Sequence, residues 1–503
     1  MDCKSLLAIA TLICIISSGS ADSPGARIEI TQNGLNYMIE QALPYLKSTL
    51  NRINIPDISG KDECDYSLSN INIGDIELPD IQGVTGSGGL TLKGDGIGLS
   101  GGLDYSYKCP LWIHGSGNVD LDVTDASLSF TLLVDKDDTG HPVFNPNGCS
   151  LDISDIDIKF HGSLSWLANL FKGLIGDKIK SYANDNACSK LLELIQQKGN
   201  SFLQDFQTQK AIDDKIVIDY SLITNPIFSS TDLEVDIKGE FTSINPNAVK
   251  PPFSPSAIPQ ASESSKMAYL VASTYLANTA AFVINEEGYL QYNITPDTLP
   301  AKAEFLFTTL IFQDLIPAFY NKYPDMNLTL NMYATKPPIL KVTPGEARLQ
   351  GSGIIEFAVY DANCDNAIVH AFSLEVDGST EVEVGLKQVA GATNVTGKIE
   401  SLDLEVSILD TEVGTINSTK IKDLIDLIGT NLLVPLVNKY TGVGWPIPII
   451  YGVELQNTEV TLGNDYIMIS TDVDYEPQLS QQQKLEDDDS QPVMKRLTSR
   501  VQF

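Results

Sequence analysis

Apolar positions recur at two spacings along this chain, and the order in which the spacings alternate is repeated. Leu35, Met38, Ile39, Ala42, Leu43, Leu46, Leu50 and Ile53 follow one another at helical intervals behind Thr31, whose hydroxyl can cap a helix. Pro44 falls inside that stretch and predicts a kink or a restart, because proline lacks an N–H and crowds the preceding turn. Leu164, Leu167, Leu170, Phe171, Leu174, Ile175 and Ile179 predict a second helix with one apolar face. Further on, Met267, Leu270, Val271, Tyr275 and Phe282 predict a helix that opens a second half. Leu424, Ile425, Ile428, Leu432 and Leu436 predict another late in that half. Between the helices the period falls to two, as in Val119, Leu121, Val123, then Ala126, Leu128, Phe130, Leu132, and again in Leu402, Leu404, Val406, Ile408. One apolar and one polar face is the mark of antiparallel sheet with a solvated side. Tyr66 and Leu68 are out of phase with Ile71 and Ile73, which predicts a bulge or a strong twist. Helices and strands are grouped within each half rather than alternating as βαβ units, so the fold class is α+β.

Pro246, Pro251, Pro252, Pro255 and Pro259, followed by the polar run from Ala261 to Lys266, interrupt all periodicity and predict a linker over residues 246–266. It separates a first domain, 22–245, from a second, 267–475. After Tyr475 the chain turns polar and acidic, with Asp487, Asp488 and Asp489, and residues 476–503 are expected to form a disordered tail. Residues 1–21 have the layout of a secretory signal: Lys4, an apolar run from Leu6 to Ile16, then Gly19, Ser20 and Ala21. The run is shorter than the roughly 20 apolar residues that a membrane span needs, so cleavage near Ala21 and an extracellular location are expected.

Charge narrows the partners. The formal net charge is −32; residues 22–250 hold 17 basic against 32 acidic residues, a net of −15, which leaves −17 for residues 251–503. Neither half is basic, so neither nucleic acid nor anionic lipid is attracted by general electrostatics. The acidity also serves solubility. Cys3 and Cys14 leave with the signal, and Cys64, Cys109, Cys149, Cys188 and Cys364 remain. Cys149 and Cys188 flank one strand-plus-helix unit and are the first choice for a bridge; Cys64 with Cys109 stays open as a second, which would leave Cys364 free.

Several segments, taken in order, resemble the family of bactericidal permeability-increasing protein, lipopolysaccharide-binding protein, cholesteryl ester transfer protein and phospholipid transfer protein. They are Arg27-Ile28 through Gly34-Leu35-Asn36-Tyr37, Trp166-Leu167 with Leu170-Phe171, Cys149 and Cys188, Lys238-Gly239-Glu240-Phe241, and Pro251-Pro252-Phe253. In the second half they are Asn278-Thr279-Ala280, Tyr323-Pro324-Asp325-Met326 and Lys336-Pro337-Pro338. The resemblance runs from about Arg27 to Tyr475. It implies a boomerang of two pseudo-symmetric barrels, each a twisted antiparallel sheet around a long helix, joined by a central sheet, with an apolar lipid tunnel in each barrel. It also maps the family's shared disulfide onto Cys149 and Cys188.

Periodicity alone cannot separate a tunnel from a filled core, since the lining side chains are of the same types. Leu35, Met38, Ile39, Leu43, Leu46, Leu167, Phe171, Leu270, Tyr275, Phe282, Leu432 and Leu436 are therefore lining candidates, with ordinary core as the simpler role for any one of them. Catalytic patterns are missing from the sequence. The four histidines form no HExxH, and no GxSxG or CxxC occurs. Gly96-Ile97-Gly98-Leu99-Ser100-Gly101 fits GxGxxG but sits among strand-like residues, where a phosphate cradle would need a following helix. Asp155 and Asp157 share a strand face without EF-hand spacing and suit a solvated surface. Sequons at Asn293, Asn327, Asn394 and Asn417 are candidate glycosylation sites, all in the second half.

The expected activity is thus not enzymatic. The chain is expected to hold phospholipid or other acyl chains, with no cofactor beyond that lipid, and to meet membrane surfaces or lipid particles. Lipopolysaccharide sensing ranks second. The family members that do this resemble one another in a basic cluster at the first-barrel tip, whereas Gly83 to Gly117 here has only Lys93 and Lys108 as bases, beside Asp95 and Asp104. The oligomeric state is left open.

Overall fold

Two strands far apart in the chain, Ala26–Thr31 and Ala268–Ser273, lie side by side at the centre of the molecule, antiparallel, with Ile28 opposite Leu270. The structure is a computed structural model that describes residues 23–475 apart from 51–54, 62–63, 79–80, 162–172, 174–175, 178, 182–185, 187, 205, 262–263, 296–306, 362–366, 390–391 and 448–452. Around the central pair a sheet grows outward in matching order. Asp232–Ile237 and then Ile227–Phe228 extend the first-half side; Tyr466–Tyr475 and then Val453–Leu462 extend the other.

Each half adds its own long-stranded antiparallel sheet. In the first the order is Ile58–Lys61, Asp65–Glu77, Gly89–Lys108, His114–Leu132 and Asn147–His161, with Ile81–Gly86 also paired to Gly89–Lys108. In the second it is Gln291–Ile294, Leu328–Thr343, Glu346–Asp361, Ala367–Glu381 and Asp403–Thr411. The helices packed with these sheets include α1 (Gln32–Leu50), α2 (Cys188–Leu203), α3 (Thr274–Glu286) and α4 (Ser418–Ile428). The architecture is α+β, two sheet-and-helix halves joined through the central sheet into an elongated boomerang.

Phase slips in the apolar alternation fall where the strands bulge. Val119, Leu121 and Val123 are buried, and so are Ala126, Leu128 and Phe130 in the opposite phase; the pairing with Asn147–His161 is irregular between Val123 and Ala126. The slip between Leu68 and Ile71 coincides with an irregularity between Ser69 and Asn72, where Asn70 takes a positive φ of 51°. An extra residue there returns the apolar side chains to the inner face after a local turn of the strand.

The central strands also set the helix starts. Thr31 ends its strand and its Oγ1 accepts the Gly34 N–H at 3.4 Å; Ser273 ends the equivalent strand and its Oγ accepts the Tyr275 N–H at 3.2 Å. The helix predicted from Met267 therefore begins only at Thr274, and Leu270 and Val271 lie on the strand. A short apolar run fits either period, and here ladders on both sides, to Ala26–Thr31 and to Tyr466–Tyr475, decide for strand.

Charges on the central sheet hold the linker. Arg27 forms a two-pronged pair with Asp236, at 2.6 and 3.0 Å, and reaches Glu234 at 3.1 Å. Glu29, 4 % exposed, stands opposite Glu234 in the ladder. The Ala261 N–H donates to Glu29 at 2.9 Å and the Gln260 amide donates to Glu234, so the end of the proline-rich stretch is seated on two buried carboxyls. Glu29 Oε1 has no hydrogen-bond partner among the described residues.

Burial pushes the Glu29 carboxyl above its ordinary range; the bond from Ala261 and the charge of Arg27 oppose this, while Glu234 and Asp232 add to it. A carboxyl whose folded pKa is raised supports folding fully below its unfolded pKa and loses that contribution as pH rises through the folded value. Glu29→Gln, whose amide can donate to Glu234, should raise the urea midpoint at neutral pH and leave it nearly unchanged at about pH 4. Parallel urea titrations of both proteins at the two pH values measure the difference.

Candidate functional site

The apolar interior of the first half is built on one stripe of α1. Leu35 and Ile39 are buried, and Leu43 and Leu46, further along the same face, are only partly covered. They meet the inner face of the long sheet at Leu90, Leu92, Leu103, Leu121, Phe130 and Ile156. From the other side α2 contributes Leu191, with Leu192 and Ile195 partly covered. The bridge between Cys149 and Cys188 ties the start of α2 to the strand Asn147–His161. Beyond the fully buried members, the partly covered aliphatics along this surface include Ile71, Ile73, Leu99, Leu151 and Ile153.

α1 is held in place by specific contacts. Gln32 Nε2 donates to the Gly83 carbonyl at 3.1 Å, and the Thr85 hydroxyl donates to Gln32 Oε1 at 3.1 Å. Gly83 lies so close that a Cβ there would stand 2.3 Å from Ile39 Cδ1. Tyr37 donates to Asp474 at 2.9 Å and accepts the Tyr475 N–H at 2.9 Å, which joins α1 to the last strand of the other half.

The second half has a similar antiparallel sheet, five-stranded where the first has six strands, with a different filling. Phe312, Phe319, Phe357 and Phe372 are fully enclosed; Phe357 and Phe372 stack at 4.5 Å between ring centroids, and Phe312 meets three of these rings edge-on or tilted at 5.1 to 5.8 Å. Ile421 and Ile425 of α4 close over the same cluster. Aromatic rings at these spacings occupy the interior with side chain.

The lining candidates thus fall into separate places. Leu35, Ile39, Leu43 and Leu46 come together in the first half, while Met38, 44 % exposed, lies outside their stripe. Leu270 sits on the central strand, paired to Ile28 and Ile469. Tyr275 and Phe282 of α3 receive the ring of Phe253 from the linker, and Phe282 also packs with Ile216, Ile218 and Phe241 of the first half. Leu436 is half-buried on the helix Val434–Thr441. Leu167, Phe171 and the Leu432 side chain lie outside what is described, as do residues 1–22, which include the signal segment 1–21, and the tail 476–503.

Sequence reasoning did not single out the four phenylalanines or α2. Their signals were Phe357 and Phe372 within alternating strands and the helical spacing of Leu191, Leu192 and Ile195. Cys64 and Cys109 are bonded, which resolves the second pairing.

The sequons differ in access. Asn293, Asn327 and Asn417 are exposed, Asn417 capping α4 by accepting the Thr419 and Lys420 N–H groups. Asn394 is 6 % exposed and its Nδ2, the atom a glycan would take, donates to the Val443 carbonyl at 2.9 Å. Lys93 and Lys108 stand 15 residues apart on one strand, on the order of 45–50 Å, so they form no cluster.

Sequence models of the LBP / BPI / CETP family match the chain in two parts, the N-terminal domain over residues 34–205 and the C-terminal domain over 210–475. Bactericidal permeability-increasing protein of Sebastes schlegelii is 28 % identical over 478 residues, covering 92 % of this chain and 98 % of that one. Lipopolysaccharide-binding protein of Mus musculus is 29 % identical over 481 residues, covering 93 % and 97 %. Among solved structures, that of lipopolysaccharide binding protein aligns with a TM-score of 0.61 at 26 % identity, covering 90 % of this chain and 99 % of that one.

Two outcomes follow from the geometry. Gly83→Val should cost about 1–3 kcal/mol by forcing Ile39 off its seat, and less of that cost should appear in an Ile39→Ala background; denaturation of the two single variants and the double variant measures the coupling. Glycopeptide mapping of protein from a eukaryotic secretory host should find glycan at Asn293, Asn327 or Asn417 and none at Asn394.

Proposed function

This chain belongs to the LBP / BPI / CETP family, and from that premise we propose that it is a secreted, non-enzymatic protein that holds the acyl chains of phospholipid or a similar lipid inside its first half. The observation that carries the reading is the lining there: a helix stripe that passes from buried Leu35 and Ile39 to half-covered Leu43 and Leu46, facing a one-sided aliphatic sheet. Apolar surface left partly uncovered in an interior is stabilised by an apolar occupant, at roughly 0.8 kcal/mol per buried methylene. The second half is centred on four packed phenylalanines. No cofactor beyond the bound lipid is required. Two disulfides and a signal-like leader support the extracellular location. No helix among the described residues is long and apolar enough to cross a membrane.

Binding of lipopolysaccharide is a second reading, favoured by the name of the relative at 29 % identity. The wide separation of Lys93 and Lys108 favours capture through acyl chains over capture through phosphates.

Mass spectrometry of lipid extracted from the purified native protein should find phospholipid in near-stoichiometric amount. Leu43→Asp with Leu46→Asp should lower uptake from vesicles about tenfold or more while circular dichroism stays the same. Protein that carries no lipid and takes none from vesicles would sink the reading. Binding of lipopolysaccharide that collapses with added salt would point to phosphate capture; binding that barely changes would point to the apolar lining.

A further inference from the structure

The linker meets the central sheet along a row of polar side chains. Strand pairing sets Glu234, Glu29, Tyr269, Ser470 and Glu459 side by side, one from each of five neighbouring strands. On one flank of this row Gln260 donates to Glu234 and the Ala261 N–H donates to Glu29. On the other, the Lys266 N–H donates to the Tyr269 hydroxyl at 3.3 Å and the Lys266 ammonium stands 3.3 Å from Glu459. Earlier in the linker, the Phe253 ring lies edge-on to Tyr275 and Phe282 of α3, at 6.0 and 6.1 Å between centroids. Residues 253–261 thus run as a strap from a helix of the second half to strands of the first.

What the strap covers is short of positive charge. Its sequence, Phe-Ser-Pro-Ser-Ala-Ile-Pro-Gln-Ala, has no ionisable side chain. Beneath it Glu29 is 4 % and Glu234 8 % exposed, and the two stand opposite each other in the ladder. The groups around Glu29 are Arg27 on its own strand, Asp232, Glu234 and Asp236 on one neighbouring strand, and Tyr269 on the other. The ion pairs of Arg27 go to Asp236 and Glu234, and the hydroxyls of Ser229 and Thr231 donate to Asp232. Glu29 accepts the Ala261 N–H on one oxygen and has no hydrogen-bond partner among the described residues on the other. A second negative charge buried beside Glu234 is costly. That cost falls away when the carboxyl is neutral, or when the strap lifts and admits water. Burial accordingly pushes the Glu29 carboxyl upward, a shift that Ala261 and Arg27 oppose and that Glu234 and Asp232 reinforce.

We propose that residues 253–261 are a proton-coupled latch: the strap closes over the Glu29–Glu234 pair as Glu29 takes up one proton, and loosens as Glu29 releases that proton to water. Closed, it ties α3 to the strands Ala26–Thr31 and Asp232–Ile237 and stiffens the joint between the halves. Linkage sets the sign. A carboxyl whose pKa is raised in the closed form supports closure fully below its open-form pKa, and that support is lost as pH rises through the closed-form value. The latch does not depend on what either half holds.

Hydrogen exchange of the full-length protein, corrected for the intrinsic pH dependence of exchange, tests this at the Ala261 amide. Protection there should fall several-fold from about pH 5 to about pH 8, by no more than about tenfold per pH unit, the limit for one linked proton. The ladder amides between Ala26–Thr31 and Ala268–Ser273 should keep theirs. Glu29→Gln should leave Ala261 protected at both pH values, because its amide has no charge to bury. Phe253→Ala, which detaches the far end of the strap, should lower Ala261 protection at both pH values and leave the central ladder unchanged. The latch is overturned if wild-type Ala261 is equally protected at the two pH values, or if Glu29→Gln follows the wild-type pH dependence. It is overturned too if the central ladder loses protection in step with Ala261, which would make pH act on the whole fold, or if Phe253→Ala leaves Ala261 as it was.

Discussion

The antiparallel pairing of Ala26–Thr31 with Ala268–Ser273 is the contact on which the rest of the molecule depends. Each strand has its own half on its outer flank, Asp232–Ile237 on one side and Tyr466–Tyr475 on the other. Without the partner, each half would expose a row of backbone donors and acceptors that must otherwise be covered. The joint is reinforced by exchange of core: α3 of the second half packs through Phe282 and Val283 on Ile216, Ile218 and Phe241 of the first. Trp445 stands edge-on to Phe241 at 5.7 Å, and the Tyr220 hydroxyl donates to the Pro446 carbonyl. The halves share a centre and are not independent beads on a linker.

From this shared centre each half extends as a long-stranded antiparallel sheet, and the two diverge in what fills them. The first interior is mostly aliphatic and grades from buried to half-covered along α1; the second is centred on phenylalanines packed on one another. Backbone pairing sets the layout of each half, while side-chain size and shape set how its interior is packed.

The sheet that lines the first interior turns at its outer end through Pro110–Trp112. A strand of 20 residues spans from the central sheet to that turn, and the bulges along it keep its apolar residues facing inward while the strand twists.

Much of the architecture was legible in the chain. The stripe of α1, the alternation of the long strands and their phase slips depend on local periodicity, which a strand or helix must obey to bury one face. Thr31 marked a helix start for the same local reason. The strand at Ala268–Ser273 was not legible, because its apolar run satisfies helical and extended spacing alike and only the ladders to both flanking strands decide between them. The filling of the two interiors was hidden as well. Leu43 and Phe372 are equally apolar in sequence, and how fully such a side chain is covered depends on what the facing elements bring opposite, a mostly aliphatic sheet face in one half and a stack of rings in the other. Access followed the same rule: Asn394 and Asn327 carry the same sequon, and only tertiary packing buried the first and left the second on the surface. Sequence by itself determined the period of the first helix and of the long strands, and the sign of the net charge, since these are properties of neighbouring residues. Tertiary structure alone decided which apolar faces meet and which remain uncovered, since that depends on residues the chain brings together from a distance.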